Sequence, residues 1–183
     1  MLATGGEGWF GDETTLREFP PLRASWAKRG QQREVVISGR NGRRVIHGAL
    51  NAQTGELVDL VRERRRQDDG SAFLERLGQV RPEVPKLLIW DNAPPHHPKR
   101  ALAAAQAAHV PIAWLPFLPF RSPELNPLED LWRLLKAVVA ANRVYATLEA
   151  LAAHAVSWLD ACLPDSLLTR CGLRSSKFDW LPT

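Results

Sequence analysis

The sequence predicts an α/β domain, with a mixed sheet of about five strands, the first three antiparallel, and helices on its faces. β-Branched segments separated by turn residues occupy the first third of the chain, and helical periodicity dominates after Gly70. Leu87 to Trp90 is a continuous apolar run, typical of a strand buried on both faces. An Ala-rich helix and a second apolar run, Ile112 to Leu115, follow it. This order predicts a parallel pair joined by a right-handed crossover.

The early strands are predicted from β-branched residues between turns. Trp9 to Gly11 is a short apolar stretch that predicts a first strand ending at Asp12. Val35 to Ser38 and Arg44 to Leu50 flank turn-forming residues, which predicts an antiparallel hairpin. Glu56 to Val61 then continues the meander as a third strand.

The helices are predicted from apolar spacing and from capping residues. Ser71 is a possible N-cap for a helix that runs to Val80, and Pro98 opens the Ala-rich helix, which must end before Pro111. Asn126 followed by Pro127 is a well-formed helix start. The apolar stripe of that helix is Leu128, Leu131, Trp132, Leu135 and Val139. Two further helices are predicted over residues 147–162 and 165–171.

Composition excludes several classes of protein. The chain has 183 residues and 45% hydrophobic residues, enough for one domain with its own core. The uncharged run over residues 101–120 contains three prolines, so we reject a transmembrane helix. No signal peptide is visible at the N-terminus, and two cysteines without zinc or redox spacing fit a reducing cytoplasm.

The positive charge is concentrated in one segment. Between Arg17 and Arg66 there are twelve basic and five acidic residues, so this segment carries +7 and the remainder of the chain −3. A localised basic surface suits a polyanion, because each phosphate that it neutralises releases counterions. A solvated arginine-rich face is the alternative interpretation.

Three acids stand where predicted elements end or begin: Asp12 after the first strand, Asp91 after Leu87 to Trp90, and Glu129 in a first helical turn. If the first and fourth strands are neighbours, Asp12 and Asp91 emerge side by side. Clustered carboxylates stay ionised when a cation neutralises them, and an oxygen-only site suits Mg²⁺ or Mn²⁺. Two such ions could clamp both oxygens of a phosphoryl transfer. Each acid also has a structural explanation, as a turn residue, a strand-end residue or a helix N-terminal acid.

Two long segments resemble the signature of a known superfamily. Trp90-Asp91-Asn92-Ala93-Pro94-Pro95-His96 and Ser122-Pro123-Glu124-Leu125-Asn126-Pro127-Leu128-Glu129-Asp130-Leu131-Trp132 are similar to those of mariner-type transposases in the bacterial insertion-sequence branch. Gly11-Asp12-Glu13-Thr14 resembles the first catalytic strand of that branch. The resemblance covers roughly residues 9 to 160 and implies a ribonuclease-H-like, retroviral-integrase-like fold.

The resemblance also implies an activity and its residues. By position, Asp12, Asp91 and Glu129 would be the catalytic, metal-binding triad of a DDE endonuclease, with Glu13, Glu124 and Asp130 at non-catalytic positions. The implied reaction is Mg²⁺-dependent DNA cleavage and strand transfer at transposon ends, with a two-ion site in which Mn²⁺ could substitute. Asn92 and His96 are secondary active-site candidates, and ordering of the loop explains them equally well.

Basic residues that could contact DNA phosphates are Arg40, Arg43, Arg44, Lys99, Arg100 and Arg121. A solvated helix start is the simpler explanation of Lys99 and Arg100. An exposed Trp26 could stack on a splayed base.

The organisation is interpreted as a single DDE catalytic domain over residues 1–183, with a core over about 9–142 and C-terminal helices over 147–172. The helix-turn-helix modules that precede this domain in full-length relatives are not expected here. The implied partners are double-stranded DNA, both transposon ends and a TA-containing target, a possible second copy and a possible separate helix-turn-helix chain, in the bacterial cytoplasm at the nucleoid.

Two other functions stay open. The chain could be a truncated, catalytically idle remnant that binds nucleic acid non-specifically. It could also be a ribonuclease-H-like host nuclease, although the proline-rich segment Ser122 to Glu129 resembles transposases instead.

Overall fold

A computed structural model describes residues 5–31, 34–35, 37, 39–63, 67–90, 103, 105–107, 112–113 and 122–178, without the side chains of 67–68, 112–113 and 123. The strands are β1 (Glu7–Arg17), β2 (Arg43–Asn51), β3 (Leu57–Arg62), β4 (Lys86–Trp90) and β5 (Ile112–Ala113). The described α-helices are α1 (Gln67–Gly78), α2 (Pro127–Leu135), α3 (Leu148–Asp160) and α4 (Pro164–Arg170).

The strands form one mixed sheet in the order β3-β2-β1-β4-β5. β1, β2 and β3 are antiparallel neighbours, and β4 lies parallel to both β1 and β5. The prediction of five strands with the first three antiparallel is therefore confirmed. So is the predicted neighbourhood of the first and fourth strands.

The predicted end of the first strand is wrong. β1 does not stop before Asp12 but runs on to Arg17, because β2 pairs with it residue by residue from Trp9↔Asn51 to Arg17↔Arg43. Aspartate is unfavourable in strands in general, yet a paired neighbour on one edge outweighs that preference here. Asp12 consequently lies within the strand.

The predicted hairpin between Val35–Ser38 and Arg44–Leu50 is also wrong. In the described part of that segment, residues 34, 35, 37 and 39–42 are not in a strand. β2 pairs with β1 on one edge and with β3 on the other. Since a strand has only two edges, none is left for Val35 or Ile37, and Val36 and Ser38 lie outside the described residues.

The helix starts depend on capping. α1 begins at Gln67, earlier than the predicted Ser71. α2 begins directly after its cap Asn126, as predicted, and continues into a π-helical turn over Lys136–Ala140. Thr147 caps α3 by accepting a hydrogen bond from the Ala150 amide at 3.1 Å. None of the described helices combines the length and apolar character needed to cross a membrane.

The sheet carries a hydrophobic cluster on each face. α2, α3 and α4 pack on one face, where the central side chains are Phe10, Leu16, Ile46, Leu50, Leu128, Leu131, Trp132, Leu135, Val139, Leu151 and Leu167. α1 covers the other face with Phe73, Leu74 and Leu77 against Trp9, Leu88 and Trp90. All five residues of the predicted apolar stripe of α2 and its extension are buried.

Candidate active site at the junction of β1 and α2

Asp12 faces the α2 side of the sheet. Side chains alternate along a strand, so Asp12 shares its face with Phe10 and Leu16, which belong to the cluster under α2. Its side chain is buried, with only 4% of the residue exposed. A buried carboxylate is costly unless it is neutralised or hydrogen-bonded, so its surroundings at this position matter.

Glu13, the next acid, occupies the opposite face. It stands across from His47 in the β1–β2 register, and its Oε1 lies 3.4 Å from His47 Nδ1. Both side chains are almost fully buried, and the His47 ring stacks on Phe73 of α1. The two consecutive acids therefore have different surroundings, and only Asp12 faces α2.

The N-terminus of α2 is attached directly to β1 beside Asp12. The side-chain oxygen of Asn126 accepts a hydrogen bond from the Leu128 amide at 3.1 Å, which caps the helix. The side-chain amide of the same Asn126 donates to the Gly11 carbonyl oxygen at 3.1 Å. A single side chain thus sets the first turn of α2 against the strand position that precedes Asp12.

Glu129 lies in that first turn and is half-buried. It makes no ion pair with any other described residue. Its neighbour Asp130 is instead paired with Arg133 and, at 3.3 Å, with Lys177. Of the two acids in the turn, Asp130 is neutralised by Arg133 and Lys177, whereas Glu129 has no such pairing among the described residues.

Trp132 closes α2 onto the sheet. It lies one turn after Glu129, is 1% exposed and packs over Gly48, the residue of β2 that pairs with Asp12. A Cβ at Gly48 would approach the Trp132 ring to 2.6 Å, so the contact needs the glycine. Gly48 and Trp132 therefore set how closely Glu129 approaches β1.

β4 pairs with the other edge of β1 and ends beside the residue that precedes Asp12. Its register with β1 ends at Gly11↔Trp90, one position before Asp12 and Asp91 in the two sequences. Asp91 lies outside the described residues, as do Asn92, His96, Lys99, Arg100 and Arg121. Within the described part of the chain, no three His, Cys, Asp or Glu side chains are grouped so that they could hold a metal ion.

The described DNA-binding candidates differ in their surroundings. Arg40 forms an ion pair with Glu18 at 2.9 Å, and Arg44 is paired with Glu149. Arg43 is exposed and stands across from Arg17 in the sheet. Trp26 is fully exposed in the loop between β1 and β2.

Two features of the site were missed from the sequence: the second hydrogen bond of Asn126, and the packing of Trp132 on Gly48. A signal existed for the second one, since a lone glycine inside a β-rich segment indicates close approach by another group.

Comparison with known proteins identifies the family. The family described as DDE superfamily endonuclease matches residues 7–152 of the chain, which include β1, the β1–α2 junction and the start of α3.

The chain belongs to the DDE superfamily endonucleases.

The relatives of this endonuclease chain agree with the family. An IS630 insertion element protein of 39 kDa from Shigella sonnei, itself uncharacterized, is 27% identical over 135 residues, which cover 73% of this chain and 39% of that protein. The chain thus spans well under half the length of this relative. The family match and this relative agree in placing the chain among DDE superfamily endonucleases, beside an insertion element protein.

Solved structures of the mariner Mos1 transposase share the fold. The paired-end complex with Mg aligns with a TM-score of 0.69 at 16% identity and covers 94% of this chain and 53% of that chain. The strand transfer complex aligns with a TM-score of 0.67 at 17% identity, over 97% and 53% of the two chains. The isolated Mos1 catalytic domain aligns with a TM-score of 0.60 at 14% identity, over 94% and 78%. The ribonuclease-H-like fold predicted for this endonuclease is therefore confirmed.

Proposed function

We propose that this chain is a transposase catalytic domain that cuts DNA at transposon ends and joins the exposed 3′ ends to target DNA. The observation that carries the proposal is the Asn126–Gly11 hydrogen bond. It ties the helix turn bearing Glu129 to the strand bearing Asp12, the two acids that the family's motif assigns to catalysis.

The proposed metal ligands are Asp12, Asp91 and Glu129. This donor set contains only carboxylate oxygens, which suits Mg²⁺ or Mn²⁺. The buried Asp12 carboxylate and the absence of an ion pair on Glu129, among described residues, both fit a cation at the junction. A pair of such ions, held by these three carboxylates, would supply Lewis-acid activation of water or of a 3′-hydroxyl and charge stabilisation at the phosphate.

The protein's own part in the reaction is positioning. Asn126 and Trp132 hold the first turn of α2 against β1, so Glu129 is kept in place before substrate arrives. The hydrophobic clusters on both faces make this junction rigid, since packed cores deform little. Asp130 is occupied by Arg133 and Lys177 and takes no part in the proposed metal site.

The proposed substrate is double-stranded DNA. The Mos1 relatives were solved as a paired-end complex with Mg and as a strand transfer complex, which supports DNA and a divalent ion here. A TA-containing target, a dimer of this chain and a separate helix-turn-helix partner that recognises the ends are part of the same proposal. Bacterial cytoplasm at the nucleoid is the proposed location.

The test is metal-dependent cleavage of a plasmid carrying the element's ends. Wild-type protein with Mg²⁺ or Mn²⁺ should nick this plasmid, and Asp12→Asn, Asp91→Asn and Glu129→Gln should each abolish nicking. Asp130→Asn is the matched control, because it removes a carboxylate next to Glu129 that is already paired within the protein, and it should still cut.

Equal cleavage by wild type and by the three triad variants would overturn the catalytic assignment. DNA binding by wild type without any metal-dependent cleavage would favour the idle remnant instead.

A further inference from the structure

Two arginines face each other at the far end of β1 and β2. Arg17 and Arg43 are directly opposite in the antiparallel register, and both are exposed. Neither guanidinium forms a hydrogen bond or an ion pair with any residue that the structure describes. Like charges directly opposite each other destabilise a sheet. The fold therefore gains nothing from this pair.

The neighbouring arginines are engaged inside the protein. Arg40 is paired with Glu18, and Arg44, only 21% exposed in its side chain, is paired with Glu149. Carboxylates of the protein thus neutralise Arg40 and Arg44. Of the described arginines around this end of the sheet, Arg17 and Arg43 are left to meet an anion from outside.

The two arginines line an open cleft of about 570 Å³. The other described lining residues are Asn41, Gly42, Arg44, Glu63 and Leu148. Glu63 is the single acid among them. The side-chain amide of Asn41 adds a polar group to a predominantly positive surface, whereas the Gly42 amide and carbonyl are both hydrogen-bonded to Glu18. The cleft therefore suits a polyanion better than an apolar ligand.

β1 runs from Asp12 to this cleft. β4 pairs with β1 only as far as Gly11, so within the described residues the stretch from Asp12 to Arg17 is paired on the β2 side alone. At about 3.4 Å per residue, Arg17 lies roughly 17 Å along β1 from Asp12. That distance is too long for Arg17 to touch the reacting phosphate.

We propose that Arg17 and Arg43 bind backbone phosphates of duplex DNA in this cleft, roughly five base pairs from the phosphate that reacts at Asp12. The spacing is that of a duplex lying along β1, because DNA rises about 3.4 Å per base pair. The inference rests on the proposed function in taking DNA as the substrate. The planar guanidinium group binds phosphate oxygens in a bidentate manner, so the pair holds the duplex in position and reads no sequence.

The experiment measures DNA binding against salt concentration, with divalent metal removed so that cleavage plays no part. Wild type, Arg17→Gln, Arg43→Gln and the double variant are titrated against a duplex oligonucleotide of random sequence. Each lost phosphate contact should lower the slope of log K against log salt by about 0.9, and weaken binding about eightfold at 0.1 M salt through counterion release alone. The double variant Arg17→Lys with Arg43→Lys keeps both charges and should retain nearly the wild-type slope.

Arg174→Gln is the matched control. Arg174 is a half-exposed arginine paired with Asp165 in the C-terminal region, and its loss changes the net charge by the same amount. It should leave the salt slope unchanged. The Gln variants at positions 17 and 43 should also unfold at or above the wild-type temperature, because they remove a repulsive pair.

The proposal is overturned if the double variant keeps the wild-type affinity and slope, if Arg174→Gln weakens binding equally, or if the loss appears with single-stranded DNA only. Wild type that fails to bind duplex DNA also overturns it. Binding that depends on Arg17 and Arg43, in a protein that shows no cleavage when Mg²⁺ or Mn²⁺ is added, would instead reject the catalytic proposal and leave this site standing.

Discussion

Asn126 makes two hydrogen bonds that belong to two different parts of the structure. Its oxygen caps α2 and its amide donates to Gly11 of β1. The capping bond is a local feature, worth about 1 kcal/mol to helix stability. The bond to Gly11 is long-range and contributes a similar amount, but it also fixes where the helix turn with Glu129 sits relative to Asp12.

Asn126→Ser separates these two contributions, because serine caps helices well but cannot donate an amide hydrogen to Gly11. We expect a loss of about 1 kcal/mol in the free energy of unfolding. Plasmid nicking should fall by up to about a hundredfold, because a shift of about 1 Å in a catalytic group costs that much. Urea unfolding and nicking rates at increasing Mg²⁺ measure the two effects.

Thr147→Ala is the control for stability alone. It removes the cap of α3, which should also cost about 1 kcal/mol, at a helix start that carries no proposed ligand. Its nicking rate should match that of wild type. An equal drop in activity for Asn126→Ser and Thr147→Ala would mean that stability, not position, limits the reaction.

At the scale of elements, the junction between α2 and the sheet depends on one close contact. Trp132 packs against Gly48 where a side chain has no room, and the helix approaches the sheet closely enough to bring its first turn beside β1. The same helix carries Glu129 one turn earlier. The position of Glu129 relative to β1 therefore depends on how closely α2 packs on the sheet.

Gly48→Ala should disturb both the packing of α2 on the sheet and the position of Glu129. The added Cβ would lie 2.6 Å from the Trp132 ring, which must move, and such overpacking costs about 1 to 3 kcal/mol. We expect a lower unfolding temperature together with reduced nicking. Gly70→Ala in α1 is the contrast, since its nearest described neighbour would be Trp90 at 3.7 Å, an ordinary contact, and alanine in a helix gains about 0.5 to 1 kcal/mol. If Gly48→Ala melts and cuts like wild type, Trp132 does not set the junction.

At the scale of the whole molecule, two carboxylates repel each other and oppose folding. They belong to Asp59 of β3 and to Asp160 at the end of α3. Burial raises the pKa of Asp59 above its ordinary value of 3.8, the charge of Asp160 raises it further, and Arg76 partly offsets this. Asp160 is the last residue of α3, where the helix dipole also disfavours an acid. The native state therefore holds a proton on Asp59 more tightly than the unfolded chain does.

The sign of the pH dependence follows from that raised pKa. Asp59 is protonated in both states below its ordinary pKa, and there it does not oppose folding. As the pH rises through the raised pKa of the folded state, Asp59 ionises and this part of the stability is lost. Asp59→Asn should therefore unfold at a higher temperature than wild type at pH 7 and at nearly the same temperature below about pH 3.8. Asp160→Asn should raise the unfolding temperature less at pH 7, because it removes the repulsion by Asp160 and leaves the burial of Asp59 unchanged. Thermal unfolding between acid and neutral pH measures this, and an equal gain at both ends would contradict it.

The sequence by itself determined the fold class, the family and the local structure at the start of α2. Period-two and helical patterns, together with the Asn126-Pro127 helix start, depend on residues near each other in the chain, so they can be read without the fold. The family's motif likewise singled out Asp12, Asp91 and Glu129 from their flanking residues. These three assignments stay predictions that the cleavage experiment tests.

Only the tertiary structure decided which partners each element takes. The strand from Glu7 to Arg17 exceeds its apolar stretch because β2 lies beside it, and the predicted hairpin is wrong because β1 and β3 occupy both edges of β2. The pairing of Arg17 with Arg43, the Asn126–Gly11 bond and the packing of Trp132 on Gly48 all join residues far apart in sequence. Such contacts are set by sheet register and helix docking, which minimise the free energy of the whole chain and leave little trace in any short segment.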